Sequence, residues 1–476
     1  MDFKKSAISG TKWSMVSYGW QALVQVLRLS ILTRYLEKSD FGLVAIVVLI
    51  LGFTQIFADL GVSVSLFSKE NITKKEYSSL YWVGLILSVF LYGLLLLISP
   101  LIAGFYKQVE LNHIIPIMGL DLIISTTGRQ FRIFRQKGLD FKSLAIIDIT
   151  ALSISLIVAV FLAMNGFGVY SLVLSTLTSS ILTSAFLIFS GLKSHPLIFY
   201  LNFTEGKSFY KIGFYQTGSQ ILDYLSSQLD VLILGKVLPI SELGVYNLIK
   251  QLVVRIYGLL NQIVTSVSIP VLSRMKSDMS SLSDKYLQMV SSVSLANLGI
   301  YAILAIFAKE VLFLFYGKAY VVESLNLQVL CLWGCLISVS SASSTIIVIM
   351  GRTDVGFKWT IIRLIINPIF IFTGARFGLL GMIVGQVLFV FLSQSIYWKV
   401  VINRIVDGIS LKKYLRVGIL PFIKFVPIVF LIIFLDNLLV RSAMFRFDRI
   451  IILLITFTGI YYFLNKKIII GFLNDR

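Results

Sequence analysis

The polar residues of this chain stand in stripes along otherwise apolar sequence. Ser14, Tyr18, Gln21, Gln25 and Arg28 follow one another at intervals of four, three, four and three, which places them on one face of a helix. Gln216, Ser219, Asp223, Ser226 and Asp230 form a second face, and Asn247, Gln251, Arg255, Gly258, Gln262 and Thr265 a third. Gln55, Asp59 and Ser63 lie four apart. A polar group in hydrocarbon is costly and turns toward protein or water. One or two such groups per helix serve as hydrogen-bonding glue between helices; a stripe four turns long suits the wall of a wet cavity.

The side-chain types indicate what that wall could do. A guanidinium presents a planar fork matched to phosphate oxygens and stays charged at any working pH, which makes Arg255 a candidate for holding an anionic group. Gln21, Gln25, Arg28, Gln251 and Gln262 are further candidate substrate-binding residues, as is Arg363, which has Asn367 one turn later. Asp59 and Asp223 have no opposite charge one turn away on their own helices, so they are candidates for carrying a coupling ion, proton or sodium. Asp121 and Asp148 lie near helix ends or tight loops, where pairing with Arg129, Arg132 or Arg135 would make them structural.

Other chemistries find no support. Cys331 and Cys335 are spaced neither as a redox motif nor as a metal cluster, and His113 and His195 are the only histidines, so no metal and no cofactor is expected. The segment "EGKS" at Glu205–Ser208 has Leu at position 201 where a phosphate loop requires Gly. The inner loops hold no adjacent acids, and the longest outer loop, 309–324, is too short for a catalytic domain. An enzyme is not expected.

The elements that must position these residues follow from composition. Apolar types make up 57% of 476 residues, charged residues only 14%, and mean hydropathy is +0.90, against about 25% charge in soluble domains. A water-soluble fold is excluded. Fourteen apolar segments of roughly membrane-spanning length fall near 12–34, 41–66, 80–103, 113–132, 143–164, 168–190, 212–235, 243–268, 286–308, 325–350, 359–375, 378–399, 415–435 and 449–465. The net charge of +19 in a soluble protein would suggest nucleic acid, yet the basic residues sit in the short loops. With both termini inside, 27 Lys and Arg lie on the inner side and 10 on the outer, with five within helices, accounting for all 42. That bias predicts cytoplasmic N- and C-termini and leaves the bilayer as partner, with no nucleic acid. The N-terminal segment has no cleavage site and reads as an interfacial helix leading into the first span.

The chain also repeats. Leu36, Ser39 and Gly42 in "YLEKSDFGLVAIV" correspond to Leu238, Ser241 and Gly244 in "VLPISELGVYNLI" at an offset of 202; Phe167 and Gly168 correspond to Phe377 and Gly378 at 210. Six spans separate equivalent points, so the copies share one orientation. This predicts two pseudo-symmetric six-helix lobes, residues 1–206 and 207–400, followed by two further helices in 401–476. Transporters with parallel halves bind substrate between them. The same offset makes Arg28 and Asp230 equivalent positions, and predicts an ion pair between them as a gate.

The residues that carry a family resemblance are "ISGTKWS" from Ile8, "LTRYLEKSDFGLV" from Leu32, "FADLGVSVSLF" from Phe57, "SSLYW" from Ser78, "GRQFRIFRQKGLDF" from Gly128 and "LPISELGVYNL" from Leu238. The chain resembles the Wzx-type polysaccharide repeat-unit flippases, colanic-acid exporter-like, of the multidrug/oligosaccharidyl-lipid/polysaccharide (MOP) superfamily. The resemblance runs over most of the first twelve helices and is weak over the last two. It implies an all-α polytopic MATE-like fold of about 14 transmembrane helices. It also implies an alternating-access carrier in the cytoplasmic membrane that exports undecaprenyl-diphosphate-linked oligosaccharides, working beside the polymerase of the same polysaccharide. An ion-coupled multidrug or metabolite antiporter of the superfamily is the alternative; its discriminator would be an acidic, aromatic cavity, whereas the stripes here mix arginines with acids. A non-transporting scaffold is a more remote alternative.

Overall fold

The computed structural model describes residues 3–59, 72–202, 207–276, 278–406 and 408–441, with Ser63, Leu66, Phe67, Leu453, 456–459 and Tyr461. The described residues are helical, without a strand. The helices are α1 (Phe3–Leu32), α2 (Lys38–Asp59), α3 (Lys74–Tyr106), α4 (Leu111–Lys137), α5 (Phe141–Met164), α6 (Val169–Ser194), α7 (Lys207–Val237), α8 (Ile240–Arg274), α9 (Met279–Ile306), α10 (Ala308–Tyr316), α11 (Ser324–Met350), α12 (Thr353–Ala375), α13 (Gly378–Tyr397), α14 (Leu411–Gly418) and α15 (Leu420–Arg441).

The first twelve expected spans coincide with α1–α9 and α11–α13. The N-terminal residues do not form a separate interfacial helix, because α1 runs unbroken from Phe3 to Leu32. Among the described residues eight helices are long and apolar enough to cross a membrane, or nine if the bent pair α14–α15, with its 48° break, is one span. The four longer than 25 residues outside that set are α1, α4, α7 and α8, which include the three carriers of the long polar stripes. The last expected span, 449–465, lies largely outside the described residues.

Local sequence signals set the helix ends. Thr73 caps α3 in a reciprocal capping box, its hydroxyl accepting from Glu76 N at 3.2 Å while Glu76 Oε2 accepts from Thr73 N at 2.9 Å. Asp140 accepts from Ser143 N at the start of α5, and Gly351 ends α11 in the left-handed conformation (φ 67°).

Two compact units emerge, Met1–Leu248 with Phe313–Tyr320, and Ile249–Leu312 with Val321–Arg476. In the first, α1 packs on α5, α5 on α6, α6 on α4 and α4 on α3, while α2 packs on α4 and α7. In the second, α9 packs on α11, α11 and α12 on α13, and α14 and α15 lie against α9.

The repeated "LxxSxxG" segments meet within the first unit. A Cβ on Gly42 would overlap the carbonyl oxygen of Ile240, and one on Gly244 would overlap the carbonyl oxygen of Lys38. Positions 38 and 240 are themselves equivalent at the offset of 202, so the contact is reciprocal: each copy's glycine lies against the first helical turn of the other. Only glycine permits this approach of α2 and α8.

Candidate functional site

The lower half of the α1 stripe opens into a polar cavity of about 350 Å³ inside the first unit. Ser14, Ser17, Tyr18 and Gln21 line it from α1, Arg132 and Gln136 from α4, Asp148 from α5, and Ser179 and Thr183 from α6. Gln21 Nε2 donates to Ser17 Oγ at 3.1 Å. Arg132 donates twice to Asp148, at 3.1 and 2.5 Å, with 32% and 16% of the two side chains exposed. The wall therefore offers hydroxyls and carboxamides beside one internally neutralised ion pair, a set that hydrogen-bonds uncharged hydroxyl-rich ligands without a large net charge. Asp148 pairs with an arginine as the sequence suggested, but the pair belongs to the cavity wall. Ser17 lay outside the sequence stripe, and Ser179 and Thr183 gave no periodic signal because α6 carries hydroxyls on several faces.

A second cavity in the same unit has the opposite chemistry. It measures about 480 Å³ and is lined by Leu49, Phe53 and Phe57 of α2, Leu94 and Ile98 of α3 and Leu232 of α7, with Thr54, Tyr224 and Gln228 as its polar members. Tyr224 is anchored across the helix pair, its hydroxyl donating to Leu49 O at 2.9 Å.

Arg28 does not pair with Asp230 here. Its Nη2 donates to Leu172 O at 2.9 Å, Ser175 Oγ at 2.8 Å and Thr176 Oγ1 at 3.0 Å, all on α6, while its Nε is buried without a partner. Asp230, 5% exposed, accepts from the hydroxyl of Tyr246 and from Val231 N. In this conformation Arg28 is held by neutral groups of α6, and the hydroxyl of Tyr246 on α8 reaches Asp230. Asp59 gains the opposite charge that its own helix lacks: Arg129 of α4 lies 3.4 Å away, and Ser63 Oγ donates to it at 2.5 Å. Asp121 pairs with none of the arginines proposed for it; Gln55 Nε2 donates to its Oδ2 at 2.9 Å. Arg135 instead reaches Asp140.

The remaining candidates are placed but not gathered. Gln25 is exposed on α1 and Asp223 on α7; Gln251 and Arg255 are half-buried on α8, and Arg363 is half-buried on α12. The side chain of Gln262 lies outside the described residues. Cys331 and Cys335 are free and buried.

The "SSLYW" segment holds the chain that leaves α6. Tyr77 Oη donates to Pro196 O at 2.8 Å, Ser78 Oγ accepts from Ile198 N at 3.2 Å, Ser79 Oγ donates to Asn202 O at 2.9 Å, and Trp82 Nε1 donates to Ile198 O at 2.9 Å. His195 stacks on Phe134 at 4.3 Å and meets the edge of Tyr77; burial lowers its pKa below the usual histidine value.

Residues 31–325 match the family described as "Polysaccharide biosynthesis protein", more than half of the chain. The chain belongs to that family. It is 28% identical over 447 residues to an uncharacterized membrane protein in the cps region of Klebsiella pneumoniae, covering 92% of this chain and 90% of the relative. It is 24% identical to the lipopolysaccharide biosynthesis protein WzxC of Escherichia coli (strain K12), covering 90% and 87%. Among solved structures, the lipid II flippase MurJ in its inward closed conformation superposes with a TM-score of 0.74 over 95% of this chain and 99% of that one, at 14% identity, a likeness of fold. The coarse reading is therefore a multi-pass membrane protein of the polysaccharide biosynthesis family whose fold is like that of the lipid II flippase MurJ.

Proposed function

We propose that this protein moves undecaprenyl-diphosphate-linked oligosaccharide repeat units from the inner to the outer leaflet of the cytoplasmic membrane by alternating access, with both termini cytoplasmic, in two lobes of residues 1–206 and 207–400 followed by the helices of 401–476. The observation that carries the reading is the pairing, within one unit, of a hydroxyl- and carboxamide-lined cavity with an apolar one. A lipid-linked sugar is itself half polyhydroxylated and half hydrocarbon, and needs both. Gln21 serves the sugar in the polar cavity. Gln25, Arg28, Gln251, Arg255, Gln262 and Arg363 contact the sugar or diphosphate during translocation, with Arg255 the principal diphosphate ligand; Asp59, Asp223 and Asp230 belong to coupling and gating. The protein's part is to bind and reorient, so no bond of the substrate is made or broken.

Deletion of the protein should cause radiolabelled lipid-linked oligosaccharide to accumulate on the cytoplasmic face while surface polymer is lost. Normal polymer output without accumulation refutes the reading. Replacement of Arg255 by Ala should remove a charge-assisted contact of about 1.5 to 3 kcal/mol, lowering export at least tenfold, with Arg255→Lys retaining part.

A further inference from the structure

Asp121 sits in the apolar body of the first unit, 9% exposed. Its Oδ2 accepts from Gln55 Nε2 at 2.9 Å, while its Oδ1 is buried with no hydrogen-bond partner. One turn later on the same face of α4, Ser125 Oγ is likewise buried without a partner. The carboxamide that holds Oδ2 carries an acceptor oxygen of its own, Gln55 Oε1, on the same side chain. Charge compensation is scarce there. The long helices packed on α4 offer nothing: α3 has no charged residue from Tyr77 to Tyr106, and α6 none from Val169 to Leu192. On α2 the nearest is Asp59, one turn beyond Gln55 and already facing Arg129. On α5 it is Asp148, engaged by Arg132. The phenols of Tyr92, which donates to Pro116 O, and of Tyr81 are the other titratable groups on α3 at this face.

An isolated carboxylate in low dielectric is strongly disfavoured unless an opposite charge joins it. Carboxylate, hydroxyl and carboxamide oxygens suit a hard cation. A single carboxylate balances a single positive charge, whereas a divalent ion would leave a net charge buried. We infer that Asp121 Oδ1, Ser125 Oγ and Gln55 Oε1 form a binding site for sodium between α2 and α4. Its use as the coupling site rests on the carrier reading above; its occupancy does not. Asp59 is charge-paired and Asp223 exposed, so this site competes with both for the coupling role.

The test is thermal unfolding of the full-length protein purified in detergent, in sodium, potassium or N-methyl-D-glucamine chloride at one ionic strength and pH. Sodium should raise the midpoint saturably relative to the other two salts. Asp121→Asn should abolish that difference, and Ser125→Ala should raise the half-saturating sodium concentration about tenfold, the loss of one ligand worth about 1.4 kcal/mol. Should Asp121→Asn not accumulate in the membrane, Ser125→Ala and Gln55→Leu decide. Equal midpoints in all three salts, a shift produced equally by potassium, or a sodium shift that survives in the variants overturns the site. The readout involves no transport, so loss of the flippase reading would leave it intact; conversely, export without sodium dependence removes only the coupling role.

Discussion

The Arg132–Asp148 pair offers a quantitative test of the polar cavity. Two hydrogen bonds of 3.1 and 2.5 Å join the residues, and the side chains are 32% and 16% exposed. A fully exposed pair is worth about 0 to 1 kcal/mol, and breaking a fully buried one costs about 3 to 5 kcal/mol. With most of each side chain buried but the cavity open to water, we expect about 2 kcal/mol for either Arg132→Met or Asp148→Leu. For a unit of some 250 residues that lowers the unfolding midpoint by about 4 °C. The damage comes chiefly from the charge left behind, so the double variant, in which both partners become apolar, should return to within about 2 °C of the parent. Export should not return, because the cavity has then lost polar groups that meet the sugar. The assay is a double-mutant cycle read twice, by thermal unfolding in detergent and by polymer output in a deletion strain. A double variant that falls by the sum of the singles, about 8 °C, would show that the two side chains do not act as a pair. One that restores both stability and export would show that the cavity's polarity is irrelevant to transport.

Two further outcomes follow from particular contacts. Valine at Gly42 or Gly244 must push α2 and α8 apart, since even a Cβ overlaps a carbonyl oxygen of the opposite copy; each variant should lower export more than tenfold, and cysteine cross-linking between positions 39 and 241 should weaken, whereas unchanged cross-linking would contradict the close approach. Burial lowers the His195 pKa, so at low pH the unfolded state takes up a proton the folded segment resists. Stability is full above the ordinary histidine value near 6.5 and declines as pH falls below it. Between pH 7.5 and 5.5, proteolysis within 195–202 should accelerate in the parent and less so in His195→Phe; an identical pH dependence in both assigns the effect elsewhere.

Much of the architecture was legible in the residues alone. Segments of roughly twenty residues located the first twelve long helices, because in a bilayer the backbone must satisfy its own hydrogen bonds and a helix of that length is the available way to do so. The stripes on α1, α7 and α8 mark helices too polar to be all lipid-facing, and Ser14, Tyr18 and Gln21 do line a polar cavity. The recurrence of Gly42 at Gly244 likewise exposed a repeat whose copies turn out to touch.

Partnership was another matter. Periodicity states which residues share a face of one helix, and says nothing about which helix that face meets. Asp59 looked unpaired because its counter-charge, Arg129, arrives from α4, seventy positions away. Asp121 looked like an arginine's partner and is held instead by Gln55, while Arg28 and Asp230, equivalent by the repeat, each turn to a neutral neighbour, α6 for one and Tyr246 for the other. Buried charges in a membrane are settled by whichever donors and acceptors lie within about 3 Å, a distance fixed by packing across helices. The sequence determined which residues had to be solvated; the tertiary structure alone decided by what.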